Sequence, residues 1–190
     1  QGLKKIQGLV AEACKEKIER DRKRGILNRP VRTMVVGIPN VGKSTFINII
    51  AGKKAAQTGD KPGVTRGTQW IRLDEDLELL DTPGILWPKF EDPEVGFRLA
   101  VSGAVNDEVF DIDEAAFKLI VFLKERYPKL LQERFKLDDA IMEDEPLAIM
   151  DQIGKNRGCL LKGGRIDYSK VSKGILIDFR QAKIGRITLE

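Results

Sequence analysis

"GIPNVGKSTFINIIAG", residues 37–52, decides how the rest of the chain is read. From Gly37 to Ser44 it spells G-x-x-x-x-G-K-S. Val31 to Val36 (VRTMVV) leads into it as a short β-rich run, and Ser44 to Ala51 continues as a helix closed by Gly52. Strand, glycine-rich loop, Lys-Ser and helix, in that order, form the setting a phosphate-binding loop needs. Glycines let backbone wrap close to an anion, and successive N–H groups with the helix N-terminus present positive potential to it. The backbone of Asn40, Val41 and Gly42 would line the phosphates. Lys43 would reach the β- and γ-phosphates, Ser44 would ligate magnesium, and Thr45 would donate to the α-phosphate.

A second half of the site follows at a suitable distance. Gln69 to Leu73 alternates as a strand, Asp74-Glu75-Asp76 is a turn, and Leu77 to Leu80 is a second strand, so 68–80 predicts a hairpin. It ends in Asp81-Thr82-Pro83-Gly84. Asp81, at a strand end, can hold magnesium through water. Gly84 can offer its N–H to a γ-phosphate. Thr65, in Pro62-Gly63-Val64-Thr65, can complete the metal shell with a second hydroxyl. A loop touching both metal and γ-phosphate is ordered by a triphosphate and released on hydrolysis, which makes a switch. Lys43, Thr65 and Gly84 are therefore the groups expected to act on the reaction. No group that positions water is identifiable: Ile85, directly after Gly84, is apolar. A low basal rate follows, with the missing element supplied by a partner.

Composition narrows the chemistry. The 190 residues contain no histidine, which removes His-based acid–base catalysis and His-ligated metals from this chain. Cys14 and Cys159 stand alone, so neither a zinc site nor a disulfide framework is expected, and a reducing cytoplasm is the default. No secretory signal and no run of about 20 apolar residues is present, so no membrane partner is expected. The chain begins at Gln1, which reads as a fragment. The net charge of +4 is unevenly spread: residues 1–32 carry ten bases against four acids, residues 138–151 six acids and no base, and residues 152–189 nine bases against two acids. Basic blocks of this kind fit a polyanionic partner, and equally fit solvated helix faces.

Elsewhere the pattern is mostly helical. Leu3, Ile6, Val10, Cys14 and Ile18 recur at helical spacing over 3–24, with Gly25 as the stop. Helices are expected at 93–105, 113–126, 128–136 and 145–157, followed by a basic turn at Lys162-Gly163-Gly164-Arg165 and a mixed tail from 168. The expected division is residues 1–105 for the nucleotide portion and 106–190 for a helical domain. The fold class is α/β: a phosphate-loop nucleotide-binding domain, then an all-helical domain.

The guanine reader of such domains, [N/T]-K-x-D, is absent; Lys136-Leu137-Asp138 is preceded by Phe135. Only three strands are expected, too few for a sheet without long open edges. One arrangement explains both: a circular permutation, with helix 3–24 as the last helix of an ordinary G domain and the reader lying before Gln1. The motifs G-x-P-N-V-G-K-S, P-G-x-T and D-T-P-G together resemble the translation-factor-related GTPases. In that superclass an Asn at the position of Asn40 is associated with a potassium ion beside the phosphates. The match narrows further. DTPGILWPKFEDPEVGFRLAVSGAV (81–105), TGDKPGVTRGTQW (58–70) and RGCLLKGGRIDY (157–168) resemble the ribosome biogenesis GTPase A (RbgA/YlqF) family. That resemblance implies GTP and GDP with Mg²⁺ as ligands, and hydrolysis stimulated by the ribosomal particle. It also implies a role in late assembly of the large (50S) subunit, with its precursor, rRNA and ribosomal proteins as partners of a monomer. The resemblance implies a permuted phosphate-loop GTPase domain followed by an all-helical RNA- or ribosome-binding domain at 106–190, with Arg157, Lys162, Arg165 and Lys170 as the candidate rRNA contacts. Trp87 and Phe90 would sense nucleotide state or simply fill core. Two rivals share the loop: a phosphate-loop ATPase, and an RNA-binding module with a non-catalytic nucleotide site.

Overall fold

The computed structural model describes residues 5–27, 29–53, 55–56, 67–86 and 91–190. The chain divides into two compact units, Gln1–Trp87 and Pro88–Glu190.

In the first unit, α1 (Ile6–Ala13) and α2 (Lys15–Lys23) occupy the single helix expected over 3–24. Cys14 leaves helical geometry between them, although its N–H still bonds Val10 O at 3.0 Å and its carbonyl accepts from Ile18 N at 3.0 Å. Then come β1 (Val31–Val35), α3 (Lys43–Ala51), β2 (Gln69–Arg72) and β3 (Leu77–Asp81). The sheet order is β1-β3-β2. β1 runs parallel to β3, with Val35 opposite Asp81, and β2 is antiparallel to β3. The expected hairpin is present, closed by Leu73 N–H to Leu77 O at 3.0 Å and by Asp74, whose side chain accepts from Asp76 N at 2.9 Å. Alternation sets the packing: Ile71 and Leu79 turn to one face and bury with Ile47 of α3 and Ala56, against Val35 and Phe46.

The second unit is helical: α4 (Pro93–Ser102), α5 (Ile112–Arg126), α6 (Pro128–Phe135), α7 (Asp139–Glu143), α8 (Pro146–Asn156) and α9 (Tyr168–Arg180). Helix starts follow local chemistry. Asp92, Asp111, Asp138 and Asp167 accept N–H bonds from the first turns of α4, α5, α7 and α9, and proline opens α4, α6 and α8. The acidic stretch 138–151 is thus partly spent on capping. α4 packs on α5 and α9, so this helix, grouped by sequence with the phosphate loop, lies in the helical unit. Arg180 of α9 holds its end: Nη2 donates to Ala100 O at 2.8 Å and to Asp107 Oδ1 at 2.7 Å, and Nε to Val101 O at 3.2 Å. Gly103 leaves room for it, since a Cβ there would sit 3.1 Å from Arg180 Nε.

α7 and α9 were not expected. α9 contains two serines, Gly174 and several β-branched residues, all poor helix formers. Its burial decides the outcome: Val171, Ile175 and Leu176 are at most 1% exposed and pack with Leu119, Leu123 and Ile153 in one core. No described helix is long and apolar enough to cross a membrane.

Candidate nucleotide site

Parallel pairing of β1 and β3, with Val35 opposite Asp81, brings the two sequence motifs together at the carboxyl ends of the strands. That is where open α/β sheets bind ligands. The loop after β1 turns sharply. Asn40 has φ 56° and Gly42 has φ 90°, both left-handed, and the Gly42 carbonyl accepts from Phe46 N at 2.8 Å as α3 begins. Glycine holds such a backbone without strain, whereas Asn40 is one of the few non-glycine types that tolerate it.

Lys43 lies across the mouth of this loop. Its Nζ donates to Gly37 O at 2.9 Å and to Ile38 O at 2.8 Å. An ammonium has three donors, so one remains for a phosphate oxygen. Ser44 Oγ donates to Asp81 Oδ2 at 3.1 Å. Asp81 is 2% exposed, and its other oxygen, Oδ1, accepts no hydrogen bond. A buried carboxylate oxygen without a partner is costly, and a cation or its hydration shell is the natural relief. One hydroxyl and one carboxylate form a sparse oxygen set, which suits Mg²⁺, an ion that keeps several of its waters. Among the described residues no group of three or more His, Cys, Asp or Glu could hold a metal, so an all-protein cage is not formed there.

Thr82 and Gly84 fix the second motif against the first. Thr82 Oγ1 donates to Val35 O at 2.7 Å. A Cβ on Gly84 would stand 2.5 Å from both Cα and N of Pro39, so only glycine lets these two backbones touch. Thr45 and Val41 are exposed on the loop and first turn, as a ligand-facing N-terminus requires. Ile85, the apolar residue directly after Gly84, is 79% exposed. Thr65, Trp87 and Phe90 lie outside the described residues.

Asn48 was not singled out from sequence. One turn after Ser44, its amide accepts from Ala55 N at 2.8 Å and Ala56 N at 2.7 Å, and donates to Ala56 O at 2.9 Å. It pins the chain just after α3. An asparagine inside an apolar helical run was the only available signal. A cavity of about 440 Å³ lies against α1, α2 and Val31, at the opposite end of β1 from the loop, and takes no part in this site.

The basic candidates separate. The Arg157 guanidinium pairs with Asp178 and stacks on Phe135 at 4.6 Å, so it is held by an ion pair within the helical unit. Lys170 pairs with Asp167 at 3.3 Å. Lys162 and Arg165 are exposed, with no ion-pair partner among the described residues.

Residues 32–151 match the family model described as 50S ribosome-binding GTPase. The chain is 47% identical over 190 residues to ribosome biogenesis GTPase A of Bacillus cereus, covering 100% of this chain and 64% of that protein. It is 31% identical over 163 residues to the protein of the same name from Thermotoga maritima, covering 86% and 57%. The chain therefore spans less than two thirds of either relative's length. Among solved structures it resembles a GDP-bound YlqF at TM-score 0.57 and 26% identity, covering 88% of this chain and 63% of that one. A GNP-bound YlqF from T. maritima superposes at 0.54 with 27% identity, covering 88% and 62%. The loop, the D-T-P-G strand end and these relatives agree: the chain belongs to the 50S ribosome-binding GTPases, within the ribosome biogenesis GTPase A (RbgA/YlqF) family.

Proposed function

We propose that this protein is a GTP-binding and GTP-hydrolysing switch in late assembly of the large ribosomal subunit. In this reading it acts in the cytoplasm, holding a pre-ribosomal particle and its rRNA in the GTP state and leaving on hydrolysis. The observation that carries the proposal is the Ser44–Asp81 pair with its unpartnered Oδ1, beside a lysine-bridged loop on which Gly84 rests. Bound Mg²⁺ would neutralise developing charge on the phosphates. Ser44 would ligate it and Asp81 would hold its water. Lys43 would stabilise the β- and γ-oxygens, and Thr45 the α-phosphate. Gly84 would read the γ-phosphate by its N–H, and Thr65 would close the metal shell from the other switch. Asn40 would face a potassium ion. Among the described residues none takes the water-positioning role, so in this reading the basal rate is low and the particle supplies the rest; such partner groups are worth roughly 10³–10⁵ in rate.

The guanine reader belongs, on this reading, to the part of the relatives that this chain does not span, in the permuted order. The test is GTP against ATP affinity, with magnesium, on the longest native chain. A GTP preference of at least 100-fold is expected. Equal affinity would return the site to a general phosphate-loop ATPase.

A further inference from the structure

α4 and the start of α5 enclose a small groove within the helical unit, about 140 Å³ in volume. Its floor is apolar: Ala100 and Ala115 are buried, and Phe97 and Phe110 are half-buried against the helical core. Val109 and Phe117, which adjoin the groove residues Phe110 and Lys118 in sequence, are 69% and 38% exposed. An apolar cavity of about 150 Å³ takes a molecule of benzene's size, and small-molecule pockets run from about 300 Å³ upward. The groove therefore fits one aromatic or aliphatic side chain rather than a whole small ligand.

Its surroundings are acidic. Residues 91–114 hold eight carboxylates against one base, Arg98. Asp92 and Asp111 cap α4 and α5 yet stay exposed, and so are Glu94, Glu108, Asp113 and Glu114. Lys118, the one cation among the lining residues, pairs with Glu114 at 2.7 Å. The hydrogen bond to Glu114 foremost, then the charges of Glu114 and Glu94, hold the Lys118 ammonium above its ordinary pKa. Carboxylates of both helices thus act on the groove mouth. Among the described residues no three acids stand close enough to hold a metal ion. The carboxylates form a spread field instead, which repels the phosphates of a nucleic acid and attracts a row of separated cations. A protein segment rich in lysine and arginine supplies such a row, and an apolar side chain within it would fill the hollow.

We infer that the α4–α5 groove docks a basic protein segment, with one apolar side chain seated over Ala100 and Ala115 and flanking cations facing Glu94 and Glu114. Such docking requires nothing of the GTPase reading above. The whole chain is titrated, at low salt, into a labelled short peptide of lysines and arginines around one phenylalanine. Binding at least about 5-fold tighter than to the same peptide with alanine in place of phenylalanine is expected, the scale for a seated anchor. A peptide with glutamates for the basic residues should not bind. Glu94→Gln with Glu114→Gln should weaken binding about 3-fold or more, and Lys118→Gln, which removes the cation from the groove, should tighten it about 2-fold. Tightening cannot come from a misfolded chain. Both variants should keep the wild-type melting temperature and nucleotide affinity, because the substituted groups are exposed and surface ion pairs stabilise little. No binding of the basic peptide, indifference to its phenylalanine, equal binding of the glutamate peptide, unchanged affinity in the double variant, or no tightening in Lys118→Gln would each overturn the docking. GTP preference is measured on the same samples, so failure of the groove is distinguishable from failure of the GTPase reading.

Discussion

Gly84 shows how one missing side chain can couple two motifs 40 residues apart. Its backbone lies against Pro39 so closely that a Cβ would fall 2.5 Å from two backbone atoms. Backbone cannot rotate aside as a flexible side chain can. Gly84→Ala must therefore push the D-T-P-G segment off the phosphate loop. The expected result is a loss of about 10-fold or more in affinity for a non-hydrolysable GTP analogue, with GDP affinity changed less than 3-fold, because on the proposed reading only the triphosphate would use the Gly84 N–H. Equal losses for both nucleotides, by calorimetry or fluorescence, would show that Gly84 only supports the loop. This residue was legible in sequence, as were Lys43, Ser44 and Asp81, because local spacing specifies them. Asn48 was not. Its role depends on where residues 55 and 56 return in space, and no spacing rule encodes that.

At the scale of elements, Asp178 ties the helical unit together. It sits on α9, 4% exposed, between Arg134 of α6 at 3.0 Å and Arg157 at the end of α8. Gly174 admits the second arginine, since a Cβ there would be 3.2 Å from Arg157 Nη1. Burial pushes the Asp178 carboxyl up, but hydrogen bonds from Arg134 and Arg157 outweigh it and hold the group below its ordinary value. A depressed folded-state value contributes stability above the unfolded value and loses it as pH falls through the folded one. Asp178→Asn should therefore destabilise the protein by about 3 kcal/mol at pH 7, the scale for breaking a buried pair. The gap from wild type should shrink as pH drops below about 4, where the carboxyl of the unfolded chain begins to take up a proton that the folded one still resists. Denaturant titrations at pH 7 and pH 3 measure it, and a gap independent of pH would contradict this account. The same cluster explains why α9 was illegible. Its helix propensity is poor, and the burial and ion pairs that hold it come from residues about 20 to 80 positions away. α4 and α5, by contrast, carry Asp caps and regular apolar spacing, and were found within a few residues of their ends.

The whole molecule joins a candidate nucleotide site whose parts sit on neighbouring parallel strands to a helical unit that carries an exposed basic turn at 162–165. Family membership was readable because three motifs and three longer stretches stand intact in sequence. The unit boundary was less so: α4 follows the second switch closely in sequence, yet its apolar face is buried with α5 and α9. On the proposed function the protein must bind its target differently in its two nucleotide states, or hydrolysis would accomplish nothing. The most direct measurement is the affinity of the protein for large-subunit precursor particles, with GDP and with a non-hydrolysable GTP analogue. Binding at least 10-fold tighter with the analogue is the predicted result, and equal affinity in both states would contradict the switch.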